Sequence, residues 1–214
     1  MNSYSINKKW WEKMVQDGCG FTVPWLDLDA EVLKKLAKGE LEKPPKPLDE
    51  IYPLEVLKNI KGKKVLCLAS GGGQQSAVFS LLGAQVTVAD ISEGQLAGDQ
   101  KAAKHYRYEV NTIQASMDNL FMIHDESFDL VYQAPSMSYT PDVKKVYSEV
   151  ARILKHDGVY RADASNPLAW GVDIGSWDGK GYHISKPYSM REERRSENEN
   201  VIEFRHYVKF STGQ

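Results

Sequence analysis

Three consecutive glycines, Gly71 to Gly73, separate an apolar run at 63–69 (KKVLCLA) from a helical segment at 77–82 that stops at Gly83. Each glycine gives up side-chain packing and has extra backbone freedom to lose on folding, so three in a row weaken any regular element. They make sense as a turn where bare backbone must lie against something: another part of the chain, a phosphate or a different small molecule. The same order of strand, turn and helix opens a longer rhythm. Apolar runs at 85–90 (QVTVAD), 111–116 (NTIQAS), 127–134 (SFDLVYQA) and 159–165 (VYRADAS) alternate with amphipathic helical patterns. This predicts an α/β fold built on a doubly wound, mostly parallel sheet.

Local signals place the helices. Ser92, with Gln95 three residues on, reads as a capping box for a helix running through 96–106. Thr140 as cap and Pro141 at the first helical position predict a helix with Val143, Val146, Tyr147, Val150 and Leu154 on one stripe, closed by the HDG at 156–158. Upstream, 5–18 and 27–40 read as two short helices; in the second, Leu28, Val32, Leu33 and Leu36 share a face and Gly39 is the stop. Pro44, Pro45 and Pro47 then mark an extended linker or surface wrap. Beyond Asn166 the pattern degrades into a Gly-rich stretch and two strand-like pieces, 183–190 (HISKPYSM) and 201–211 (VIEFRHYVKFS), expected to pair antiparallel through the polar loop 191–200.

Composition narrows the function. With 214 residues, 42% hydrophobic and 26% charged, the chain can bury one substantial core. A net charge of -2 supplies no broad cationic field, which disfavours nucleic acid as a partner. Cys19 and Cys67 are the two cysteines and have no metal-ligand spacing, so neither a disulfide scaffold nor a metal is expected. The N-terminus lacks an apolar signal core, and no stretch approaches the roughly 18 apolar residues of a membrane span, so a cytoplasmic protein with no membrane partner is expected.

A glycine turn after a buried strand lies at the sheet edge where ligands bind, and an acid about 20 positions on, at the tip of the second strand, can take hydrogen bonds from a ribose diol. Asp90 stands there. Turn and acid together point to an adenosine-containing cofactor; the structural alternative is that the glycines only permit close packing and Asp90 only caps a helix. A nicotinamide dinucleotide fits less well. Gly71, Gly73 and Ser76 give an imperfect GxGxxG, and Val143 stands where a Tyr139-based dehydrogenase pair would need lysine.

VLCLASGGGQQ, VTVADIS, IQASMDNL, ESFDLVYQAPSMSY and EVARILKHDGVY, in this order and spacing, resemble the successive motifs of class I S-adenosylmethionine-dependent methyltransferases, most closely a bacterial small-molecule branch that carries LASGGGQQ. The likeness covers about Trp10 to Asn166. It implies S-adenosyl-L-methionine as cofactor. Ala69, Ser70, Gly71, Gly72 and Gly73 would lie against its methionyl part, Asp90 on the ribose, Ile91 on one adenine face and Ser116 and Met117 around the adenine. Gln133 and Ala134 would present backbone to the sulfonium end. Cys67, Ala69 and Ser116 depart from the usual family residues, which puts individual polar contacts in doubt rather than the fold. The implied division is 1–50 as N-terminal helices and linker covering the cofactor, 51–167 as the core, and 168–214 as C-terminal strands on the substrate side. The family's terminal hairpin is either replaced by those two strands or missing, which would leave the sheet incomplete or closed by a partner; a homo-oligomer stays open.

Methyl transfer needs alignment and dryness more than a base. Tyr139 and His183 are the positional candidates for a catalytic base, and Trp11, Tyr139 and Asn166, with Asp163 beside it, for acceptor contacts. Trp10, Trp11 and Trp25 could form an aromatic lid over a sulfonium or simply anchor the N-terminal helix. The expectation is a methyltransferase acting on a small molecule; the alternatives are a catalytically silent binder of S-adenosylmethionine or its demethylated product, or a partner subunit, and less readily an NAD(P)-dependent oxidoreductase.

Overall fold

The computed structural model describes residues 2–166, 168–190, 192–195 and 201–206. Five strands form one parallel sheet: β1 (Lys64–Leu68), β2 (Gln85–Asp90), β3 (Val110–Gln114), β4 (Phe128–Gln133) and β5 (Leu154–Arg161), in the order β3-β2-β1-β4-β5. The order reverses between β1 and β4, which opens a crevice at their C-terminal ends.

Both faces of the sheet are covered, and the alternation within β1 shows how. Val65 and Cys67 belong to one buried cluster and Leu66 and Leu68 to the other, as the two-residue side-chain period requires. The first cluster takes in Phe79 from the helix Gln75–Leu81, together with Leu33 and Leu36 from Ala30–Lys38. The second is capped by Val146, Val150 and Ile153 of the helix Val143–Ile153. In chain order these helices are α1 (Ser3–Gln16), α2 (Ala30–Lys38), α3 (Gln75–Leu81), α4 (Glu93–Tyr106) and α5 (Val143–Ile153). α2 forms where expected: Asp29 caps it, accepting from the N–H groups of Glu31 and Val32, and Gly39 ends it at φ 74. The proline-rich segment is more than a linker, since Leu48 and Ile51 sit in the same core as β1.

The N-terminal segment is pinned to the crevice rim. Glu12 of α1 accepts from the N–H groups of Glu93 (2.7 Å) and Gly94 (3.2 Å), capping α4 from outside. Buried Asn7 donates to the carbonyls of Tyr139 and Ile202 and accepts from the Ile202 N–H.

Four expectations need correcting. The cap of α5 is Asp142, which accepts from the Lys145 N–H at 3.1 Å, and Thr140 instead accepts from the Asp142 N–H; Pro141 lies before the helix. α5 ends at Ile153, and Leu154 opens β5. The HDG bulges within that strand, where pairing jumps from Phe128↔Leu154 to Leu130↔Val159 and Asp157 has φ 64. Tyr147 is 44% exposed rather than buried with its stripe. The antiparallel pairing is also redistributed. His183–Ile184 (β7) pairs with Val172–Asp173 (β6), while Glu192–Arg195 (β8) pairs with Ile202–Arg205 (β9). In this register Glu192 stands opposite Arg205 and Arg194 opposite Glu203. Of the expected loop 191–200, residues 192–195 form β8, and 191, 196–200 and the continuation past His206 lie outside the described residues. Among the described residues, the β8–β9 hairpin packs on α1 and the turn Met137–Tyr139 rather than extending the sheet, which ends at β5. Among them too, no helix is long and apolar enough to cross a membrane.

Candidate active site

A cavity of about 540 Å³ opens at the C-terminal ends of β1, β2 and β4. Its floor is Ala69, Ser70 and Gly71 after β1; Asp90 and Ile91 stand at the tip of β2, Ser116 to Asp118 after β3, and Ala134 to Ser136 after β4. The N-terminal segment forms the opposite wall through Tyr4, Asn7, Trp11 and Phe21, joined by Asp49, Glu50 and Tyr52. Trp11 meets Tyr139 edge to face at 5.4 Å between ring centroids.

The glycines are explained by what surrounds them. The Gly71 N–H donates to Asp90 (3.1 Å), and those of Gly72 and Gly73 donate to Asp99 (3.0 Å each), which also accepts from the Ser76 hydroxyl. A Cβ on Gly71 would lie 2.7 Å from the Gln95 Cβ, and one on Gly73 2.5 Å from the Gly98 carbonyl oxygen. Bare backbone is therefore needed chiefly so that α4 can press against the turn. Only Gly71 of the three lines the cavity. The packing alternative thus describes Gly72 and Gly73. Because all three N–H groups already serve carboxylates, they offer no cradle for a pyrophosphate.

Asp90 is 7% exposed, held by N–H groups of Gly71 and Ser92 (2.9 Å). Ser92 does cap α4, accepting from the Gln95 N–H at 3.0 Å, but its own N–H goes to Asp90, so the box is only half made. The Gln95 Oε1 and the Ser70 Oγ are left buried in the cavity wall without hydrogen-bond partners. Burial pushes the Asp90 carboxyl up to about 6 against the pull of its N–H donors, and burial likewise pushes Asp99 up to about 7. Among the described residues the lining has four carboxylates, Asp49, Glu50, Asp90 and Asp118, and no Lys, Arg or His. Such a site favours a cationic ligand.

The two raised carboxyls set a pH dependence. Each binds a proton more tightly folded than unfolded, so their contribution to stability is fully present below the ordinary carboxyl range and is lost as pH rises through about 6 to 7. The melting temperature should therefore fall between pH 5 and pH 8. A ligand that hydrogen-bonds ionised Asp90 should bind more tightly over the same range. Thermal melts with and without ligand across that window check both signs.

The other sequence candidates fall in several places. Met117 and Tyr139 line the cavity, and burial pushes the Tyr139 hydroxyl up to about 12, too weakly acidic to serve as a base near neutral pH. Gln133 lies behind the wall, its carbonyl accepting from Arg161 and its side chain from Tyr160. Trp25 is partly buried against the core, its backbone N–H donating to the Gly73 carbonyl at 3.2 Å, and Trp10 is not in the lining. Asp163 accepts from Tyr52 and Arg161, while Asn166 lines a separate cavity and His183 is exposed on β7. Sequence reasoning missed Asp99, although an acid on the buried face of α4 between Leu96 and Ala102 is a readable anomaly. It gave Gln95 only a capping role and missed Gln74, whose amide donates to the carbonyls of Gly20 and Val23 and ties the N-terminal segment to the turn. Among the described residues, no cluster of His, Cys, Asp and Glu could hold a metal ion.

Comparison with known proteins accords with this geometry. A family model described as a methyltransferase domain matches residues 66–162, from within β1 to the end of β5. The uncharacterized methyltransferase YbaJ of Bacillus subtilis (strain 168) is 36% identical over 167 residues, 78% of this chain and 64% of that protein. A ubiquinone biosynthesis O-methyltransferase of Pseudomonas syringae pv. tomato is 34% identical over 53% of this chain and 51% of its own. The chain thus spans less than two thirds of the length of either curated relative. The crystal structure of an S-adenosylmethionine dependent methyltransferase from Mesorhizobium loti superposes with a TM-score of 0.60 at 21% identity, covering 86% of this chain and 77% of that one, and shares the fold.

Proposed function

We propose that this protein is a class I S-adenosylmethionine-dependent methyltransferase that moves the methyl group of S-adenosylmethionine to a small molecule. One observation carries the reading: ionisable Asp90 stands at the tip of β2 beside two buried polar atoms without partners, Ser70 Oγ and Gln95 Oε1, in a cavity that has no basic side chain among the described residues. A ligand with a ribose diol, an amino acid tail and a sulfonium charge satisfies all three features. The dinucleotide reading lacks support, because the glycine N–H groups are spent on Asp90 and Asp99.

When bound, S-adenosylmethionine supplies a methyl carbon already activated by its sulfonium. Asp90 would hold the ribose hydroxyls, Ser70 and Gln95 the methionyl polar groups, and Ile91, Ser116, Met117 and Asp118 the adenine. Ala134 borders the transfer point. Residues 1–50 cover the donor, and Trp11 and Tyr139 form the acceptor's aromatic wall, excluding water and fixing an in-line approach. Among the described lining residues there is no His and Tyr139 is poorly acidic, so unless a lining carboxylate (Asp49, Glu50 or Asp118) takes its proton, the acceptor attacks as an already neutral amine, or as a thiol or hydroxyl acidic enough to ionise unaided. The O-methyltransferase relatives support a hydroxyl acceptor. Incubating the protein with labelled donor and a pool of small metabolites tests the proposal: a labelled small product is expected. Donor binding with no product from any pool would leave the silent binder in its place.

A further inference from the structure

A second cavity, of about 1110 Å³, lies on the far side of the Met137–Tyr139 turn, between α5, the start of the C-terminal region and the β8–β9 hairpin. One residue in its wall is out of keeping with its surroundings. Arg205 is 2% exposed, yet its Nε, Nη1 and Nη2 have no hydrogen-bond partner. An arginine stays charged at any ordinary pH, and a buried guanidinium without hydrogen bonds is strongly unfavourable.

Its natural partner does not complete it. Glu192 faces Arg205 across the hairpin and feels its charge, which helps hold the Glu192 carboxyl below the usual range after the larger effect of Lys186. The Glu192 Oε1 is taken by Lys186, and its Oε2 is itself buried without a hydrogen-bond partner. The other carboxylates in the wall are engaged: Glu193 pairs with Arg195 at 2.8 Å and Asp142 caps α5. The cavity wall therefore holds a fork of buried donors without partners and, across the hairpin, a buried acceptor without one, and Asn166, Trp170 and Tyr188 line the same cavity.

We infer that Arg205 anchors a second binding site, for a small molecule carrying a carboxylate or phosphate group with a hydroxyl or amine beside it. The planar guanidinium offers paired N–H donors matched to two oxygens of one oxyanion, and Glu192 Oε2 accepts from the adjacent donor. The site is distinct from the Asp90 cavity and does not depend on what that cavity binds.

The test titrates the full chain with inorganic phosphate and, separately, with lactate at constant ionic strength, following tryptophan fluorescence from Trp170 and calorimetric heat. Saturable binding of one probe at one site per chain is expected, and which probe binds identifies the oxyanion. R205Q should weaken it at least tenfold. R205K, which keeps the charge but loses the fork, should also weaken it and provides the readout should R205Q fail to fold. E192Q, which removes the competing negative charge, should tighten phosphate. No saturable response to either probe, or equal binding by wild type and R205K, would overturn the site. So would a large loss of melting temperature in both R205K and E192Q with no probe binding, which would assign Arg205 to a structural pair with Glu192.

Discussion

Gly73→Ala is expected to lower the melting temperature by about 4–20 °C. The residue sits at φ 77, and a Cβ there would lie 2.5 Å from the Gly98 oxygen and 2.9 Å from the Pro24 Cβ. A left-handed residue costs about 1–2 kcal/mol and overpacking roughly another 1–3 kcal/mol. Together that is a large part of a typical stability of about 5–15 kcal/mol, and each kcal/mol moves the midpoint by about 2–4 °C in a chain of this size. Gly39→Ala separates the two contributions. Gly39 has φ 74 but nothing within 4 Å of its Cβ position. Its loss should therefore be about 1–2 kcal/mol, from backbone strain alone. Thermal melts followed by circular dichroism compare them; equal losses would mean that α4 does not press on the turn.

Asp90→Ala is expected to weaken S-adenosylmethionine binding by about 100-fold or more. Two hydrogen bonds from ribose hydroxyls to a carboxylate contribute about 1.5–3 kcal/mol each, and 1.4 kcal/mol is a factor of ten. Because Asp90 also receives the Gly71 and Ser92 N–H groups, the alanine variant will lose some stability as well. Asp90→Asn keeps one acceptor oxygen and most of the volume, so it should fold better and still lose much of the affinity. Ligand-induced melting shifts read both. A shift in Asp90→Asn equal to wild type would remove the ribose assignment.

The central architecture was readable because its determinants are local. The two-residue alternation in β1, the three glycines and the acid ending β2 are each confined to a few positions, and together they located the crevice and half its wall. Contacts between distant segments left no such trace. Nothing near Gln74 announces that its amide reaches the carbonyls of Gly20 and Val23, or that Asn7 clasps Ile202. Ends of elements were misplaced where two local signals compete: Thr140–Pro141 is a good helix start, yet Asp142 makes the better cap, being the residue whose carboxylate reaches the Lys145 N–H. The C-terminal pairing went astray for another reason. Glu192–Arg195 has no apolar alternation, and its pairing with Ile202–Arg205 is a contact between segments that its own composition does not announce.

Calorimetric titration of the pure protein with S-adenosylmethionine and with S-adenosylhomocysteine bears most directly on the assignment of the Asp90 cavity. Both should bind at one site per chain, more tightly at pH 8 than at pH 5, while NAD should give no heat. Absence of heat with both sulfur compounds, or saturable binding of NAD in their stead, would contradict it.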